Sequence, residues 1–139
     1  MTASRENKSP LVPLSWGELL DKISILDIKS ERVHAADALK NIRAELKQLN
    51  AVAADLLKGD ERLRVAIGRL REVNEKLWEI EDRIREKERD QAFDAEFIEL
   101  ARSVYRNNDE RAAIKREINV YTGSLLIEEK QYADYGRGE

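Results

Sequence analysis

Cysteine is absent from this 139-residue chain. No disulfide, thiolate-held zinc or thiol nucleophile can therefore be built from it. The one histidine, His34, has no second imidazole with which to share a metal. Proline occurs only at Pro10 and Pro13, so nothing beyond residue 14 forbids helix. Aromatic residues make up 6%. No apolar run reaches the roughly 20 residues that cross a bilayer, and no segment of signal-peptide length opens the chain. These absences lead to the expectation of a cytoplasmic protein with no membrane contact. Net charge is −3 with both signs mixed along the chain, which speaks against duplex nucleic acid, whose binders carry a basic face. The most basic run, Arg62, Arg64, Arg69 and Arg71, is interleaved with Glu61, Glu72 and Glu75 and reads as a solvated helix face. There is no glycine-rich phosphate loop and no Ser/His/Asp set. No cofactor and no metal site are expected.

What remains is helix-forming. Charged residues reach 38% and apolar residues 42%, the mixture long helices use. Residues 1–14 read as a flexible tail ending in an extended Pro-x-x-Pro piece. Ser15 followed by Glu18 forms a capping-box pattern, and a first helix is predicted from 16 to about 49. A loop near "NAVAADLLKGD" follows, with Gly59 as C-cap and Asp60 as N-cap. A second helix spans about 61–89. Asp94 caps a third, about 95–132, which Gly123 interrupts either as a bend or as a close contact. Residues 136–139 should fray. The expected architecture is all-α: a single domain over 15–135, an elongated antiparallel bundle of three long helices.

The first helix carries too much apolar surface for that bundle. Ile28, Ala35, Leu39, Ile42, Leu46 and Leu49 make one stripe. Leu19, Ile23, Leu26 and Val33 make a second, and Leu20 and Ile25 fill much of the rest. A helix apolar nearly all round must be enclosed. Two partner helices cannot do this, so a fourth is expected from a second subunit, making the protein a homodimer.

Polar residues interrupt the stripes of the other two helices: Asn74 and Glu81 in the second, Asn108 and Arg111 in the third. If these helices turn back near residue 92, facing positions sum to roughly 184. Side chains tilt towards their own N-terminus, so Glu81 and Arg111 are expected to converge, with Asn74 and Asn108 beside them. The first helix would bring residues 28–35 to the same level, which adds Lys29 and Arg32. Two uses are open. The layer is structural, an Arg–Glu pair fixing register; or it is a ligand site for a small anion formed by Lys29, Arg32, Asn74, Glu81, Asn108 and Arg111, with Trp78 or Tyr105 as its apolar wall. Paired carboxylates such as "EIED" at 79–82 do not form two facing acidic motifs, so magnesium-dependent nucleotide hydrolysis is not supported.

The segments "WGELLDKISILDIKSER", "NEKLWEIEDRIREKE" and "VYRNNDERAAIKREIN" together resemble a small bacterial all-helical family catalogued only as a domain of unknown function. The resemblance covers residues 15–135 and implies an all-helical bacterial domain with no assigned activity. Similarity to short helical chorismate mutases is fainter. Lys22, Lys29, Arg32 and Arg111 imitate that family's cationic set, but their spacing departs from its pattern. The sequence thus supports a homodimeric helical binding or scaffolding module for a protein partner. Its alternative is an enzyme or receptor for a small anionic metabolite.

Overall fold

The structure, a computed structural model, describes residues 9–129. It contains four helices and no strand among the described residues: α1 (Trp16–Arg32), α2 (Ala36–Leu57), α3 (Glu61–Arg89) and α4 (Ala95–Thr122). Each N-terminus except that of α2 is capped by a side chain. Ser15 accepts from the Glu18 N–H, Asp60 from Leu63 and Asp94 from Phe97, as the spacing of these residues predicts.

The first long helix of the sequence reading is two helices. It breaks at Val33–Ala35, where Val33 (φ −83°, ψ 135°) and Ala35 (φ −66°, ψ 126°) are extended. No proline or glycine marks the place. The cause is tertiary. Leu19, Leu20, Ile23, Leu26 and Ile28 ring α1, and all are buried. A continuous helix would carry its second half away from them. Folding back instead lays α2 antiparallel on α1, with Lys22 and Glu45 3.8 Å apart. Leu46, Leu49, Leu56 and Leu57 then pack on the core formed by Leu19, Leu20, Ile23, Ala53, Leu63, Leu70, Val73, Ile114 and Ile118. Each such large side chain contributes about 1.5–3 kcal/mol, against a few lost helical hydrogen bonds at about 1 kcal/mol net each. The fourth helix that α1 requires thus comes from its own chain, and α1 needs no second subunit to cover it.

Two further boundaries move. The stretch expected as a loop before Gly59 is the last two turns of α2, and only Lys58–Asp60 turns the chain, with Gly59 at φ +71°. The last helix stops at Thr122 rather than near 132. Gly123 takes the left-handed conformation (φ 68°) and donates to the Asn119 and Val120 carbonyls, which makes it a C-cap and not a bend. Residues 124–129 are not helical. The expected tails at 1–8 and 136–139, and the predicted helix at 130–132, lie outside the described residues.

Helices α3 and α4 form the long antiparallel pair that the sequence suggests. Arg69 meets Glu117 at 2.7 Å near one end, and Arg83 meets Glu96 at 3.0 Å near the other. Helix α1 lies against both but is shorter. Its last residue, Arg32, reaches Glu75 and Glu79 and lies over Trp78 at 5.9 Å. Past that level the only buried residue of α3 is Lys87, and no residue of α4 before Ile114 is buried. Lys87 clamps the α3–α4 tip, 2.8 Å from Asp94 and 2.6 Å from Glu96.

Two glycines separate close packing from conformation. A Cβ on Gly17 would stand 2.5 Å from the Lys115 carbonyl oxygen and 2.8 Å from Asn119 Oδ1, whereas one on Gly68 meets nothing within 4 Å. Gly17→Ala should therefore destabilise by about 1–3 kcal/mol in urea unfolding, because α1 and α4 must part. Gly68→Ala should stabilise by up to about 1 kcal/mol from helix propensity alone. Equal effects of one sign would contradict the close α1–α4 contact.

The tip gives a second prediction. Hydrogen bonds from Lys87 hold the Asp94 and Glu96 carboxyls below their ordinary values, helped by the Phe97 N–H and by Arg83 respectively. The same bonds raise the Lys87 ammonium. Depressed carboxylates contribute stability above their unfolded pKa, and that contribution is lost as pH falls through the folded values. In Lys87→Met, NMR titration should show both carboxyls moving up towards their ordinary range. Unchanged titration would contradict the clamp.

Candidate functional site

The interior of the bundle is crossed by one polar layer, and α1 places its centre. Gly17, Asp21, Ser24 and Ile28 follow a four-three-four spacing and form one face of α1. That face carries the small and polar residues of a helix otherwise ringed by Leu and Ile. Asp21 is fully buried. Its carboxylate accepts side-on from one edge of Arg111 on α4: Nε donates to Oδ1 at 2.9 Å and Nη2 donates to Oδ2. Asn74 on α3 donates to Asp21 Oδ1 at 2.9 Å and to Ser24 Oγ at 2.8 Å. The Ser24 hydroxyl turns back to the Asp21 carbonyl at 3.0 Å. Three helices are thus joined through one carboxylate.

The layer continues along α4 at four-residue steps, Arg111, Lys115 and Asn119. Lys115 reaches Glu18 at 2.7 Å and Glu128 at 3.1 Å. Asn119 Oδ1 accepts the Gly17 N–H at 2.7 Å, and Ser124 Oγ accepts the Trp16 N–H at 3.0 Å. The first turn of α1 therefore has three free N–H groups satisfied by side chains, one from its own Ser15 cap and two from α4 and the residue after its C-cap.

The electrostatics follow the geometry. The hydrogen bonds that Arg111 donates to Asp21 raise its guanidinium above its ordinary value although burial opposes them. Burial pushes the Lys115 ammonium down, but Glu18 and Glu128 outweigh it and the net shift is upward. Both cations stay charged. Among the described residues no buried side-chain nitrogen or oxygen lacks a hydrogen-bond partner. A carboxylate sealed from solvent and held by Arg111 and Asn74 is out of reach of a substrate proton. Among the described residues no group of three His, Asp or Glu side chains could hold a metal ion.

The residues expected to form one site are divided. Arg111 and Asn74 do share the layer. Glu81 does not: it is exposed, and Asp21 takes its place against Arg111. The α1 register explains the exchange. Because α1 stops at Arg32 and runs parallel to α3, residues 21–24 and not 28–35 lie level with Asn74. Arg32 and Trp78 stack together further along, with Glu75 and Glu79. Beside them Arg71 binds Glu31 and Glu75, and burial raises the Asp27 carboxyl despite Arg71. Lys29 and Asn108 are half-buried and Tyr105 is 40% exposed. Sequence reasoning missed Asp21, Ser24, Lys115, Asn119 and Gly17. The available signal was the Gly17, Asp21, Ser24 face, which pairs with the 111, 115, 119 face.

These features define an all-α protein held by a buried three-helix charge network. No helix of the described residues is long and apolar enough to cross a membrane. A model of a family of unknown function, DUF6165, matches residues 11–135, and the chain belongs to that family. No curated protein and no solved structure matches the chain.

Removing one partner of a buried ion pair should be costly. Arg111→Met leaves Asp21 buried without its guanidinium and should destabilise by about 3–5 kcal/mol. The double variant Asp21→Leu, Arg111→Met should recover much of that loss. Exposed Glu81→Ala should stay within about 0.5 kcal/mol. Urea unfolding of the set gives the coupling energy, and additive losses at 21 and 111 would contradict the pairing.

Proposed function

We propose that the chain is a helical binding module that works through its outer surface and self-associates there. One observation supports this reading: the polar groups of the interior are matched to each other, while large apolar side chains collect outside, at one end. Leu11, Val12 and Leu14 lead into α1, and Leu125, Leu126 and Ile127 follow α4; Leu11 and Leu125 are almost wholly exposed. The Trp16–Ser124 bond ties these two segments together. The Tyr121 hydroxyl, bonded to Asp60, brings the α2–α3 turn to the same end, with exposed Val52, Val65 and Val120 nearby. A groove of about 530 Å³ runs there between Arg62, Ala113, Arg116, Glu117, Val120 and Tyr121. Contiguous exposed apolar surface rimmed by charge marks interaction sites.

A second copy is the simplest occupant, because this end carries both apolar side chains and charges of both signs, Arg62, Arg116 and Glu117, so that it can complement itself. Sedimentation velocity at tens of micromolar should show a dimer. Leu125→Asp with Leu126→Asp should give a monomer of unchanged helix content. A wild-type monomer at that concentration contradicts self-association, and equal behaviour of the variant removes this end as the contact.

A further inference from the structure

Among the described residues six lysines and arginines are not exposed: Lys29, Arg32, Arg71, Lys87, Arg111 and Lys115. Five have a carboxylate within 4 Å. Lys29 has none. Four asparagines are not exposed: Asn74, Asn107, Asn108 and Asn119. Three have a side-chain hydrogen bond. Asn108 has none. A half-buried polar group normally finds a partner, and among the described residues the other half-buried or buried lysines, arginines and asparagines all have one.

The helix register places the two exceptions on the α1–α4 side of the bundle. The Gly17–Asn119, Glu18–Lys115 and Asp21–Arg111 contacts fix α1 and α4 as antiparallel neighbours in a single register. One turn beyond Asp21 brings Ile25 level with Asn108, and a second turn brings Lys29 level with Val104 and Tyr105. Arg111 spends Nε and Nη2 on Asp21, and its Nη1 takes no acceptor among the described residues; its side chain remains 27% exposed. An ammonium, an amide and one edge of a guanidinium therefore follow one another over about two helical turns. Glu18 and Glu128 also face this side of the bundle, but both are held by Lys115.

We propose that this stretch of the α1–α4 groove binds a small oxyanion, a carboxylate or a phosphate, between Lys29, the Asn108 amide and the outer edge of Arg111. The chemistry is ordinary for such a ligand. Lys29 supplies a charge with no carboxylate within 4 Å among the described residues, and the amide and guanidinium supply directed N–H donors. Asp21 acts as the anchor that holds Arg111 in place. The site lies apart from the apolar end of the bundle and does not depend on self-association.

The test is an NMR titration of the full chain with sodium succinate, sodium phosphate and sodium chloride at matched ionic strength. The expected result is saturable shifts of the Asn108 side-chain amide and the Arg111 Nε–H with succinate or phosphate, and none with chloride. Saturation by succinate alone assigns a carboxylate, and by phosphate alone a phosphate. Lys29→Met and Asn108→Leu should each weaken binding about tenfold or more. Neither side chain has a hydrogen bond or an ion pair among the described residues, so both variants should stay close to wild-type stability. The variant Leu125→Asp, Leu126→Asp should bind as the wild type does. Shifts that rise linearly and match chloride, or undiminished binding by Lys29→Met, would overturn the site.

Discussion

A buried carboxylate is the constraint around which this bundle is arranged. Asp21 is removed from water on every side, a burial that costs several kcal/mol unless charge and hydrogen bonds compensate it. Arg111 and Asn74 compensate it together, one from α4 and one from α3. Neither helix can shift by a turn against α1 without cost: a shift of α4 leaves a buried charge unmatched, and a shift of α3 leaves the buried Asn74 amide without its acceptors. The apolar core alone does not have this property. Leu19, Leu20, Ile23, Leu70 and Ile114 would pack almost as well one turn out of step, because apolar contacts are not directional. The network therefore contributes specificity of register more than net stability.

The same logic explains the close approach of α1 and α4. A glycine at position 17 lets the α4 backbone come within van der Waals contact. Asn119 then caps the α1 N-terminus from the neighbouring helix. Arg111, Lys115 and Asn119 present a guanidinium, an ammonium and an amide at one-turn intervals. Asp21, Glu18 and the Gly17 N–H meet them in reverse order. The two helices read each other as an antiparallel ladder of polar pairs.

Much of the helix content was legible in the sequence because caps and periodicity are local. Ser15, Asp60 and Asp94 start their helices as their side chains demand, and α3 keeps its predicted span. The break at Val33–Ala35 was not legible. No residue there disfavours helix strongly, and the turn exists because α1 needs a cover on its second apolar face. That surplus was visible, but its relief came from the same chain. One missed turn displaced the register of α1, and with it the partner of Arg111: Glu81 was on the expected stripe, yet Asp21 is the carboxylate that reaches. Two of the candidate residues, Asn74 and Arg111, nonetheless meet in the buried layer, because polar residues on core stripes have few reasons to be there.

The central claim is that Asp21 holds Arg111 rigidly at the junction of three helices. The direct measurement is ¹H–¹⁵N NMR of the Arg111 guanidinium in the wild type and in Asp21→Asn. The wild type should show a distinct, slowly exchanging Nε–H whose relaxation matches the backbone of α4. Asp21→Asn should broaden or release it while the Lys115 ammonium environment persists. A wild-type Nε–H that exchanges and relaxes like those of the exposed arginines, unaffected by the change at Asp21, would contradict the account.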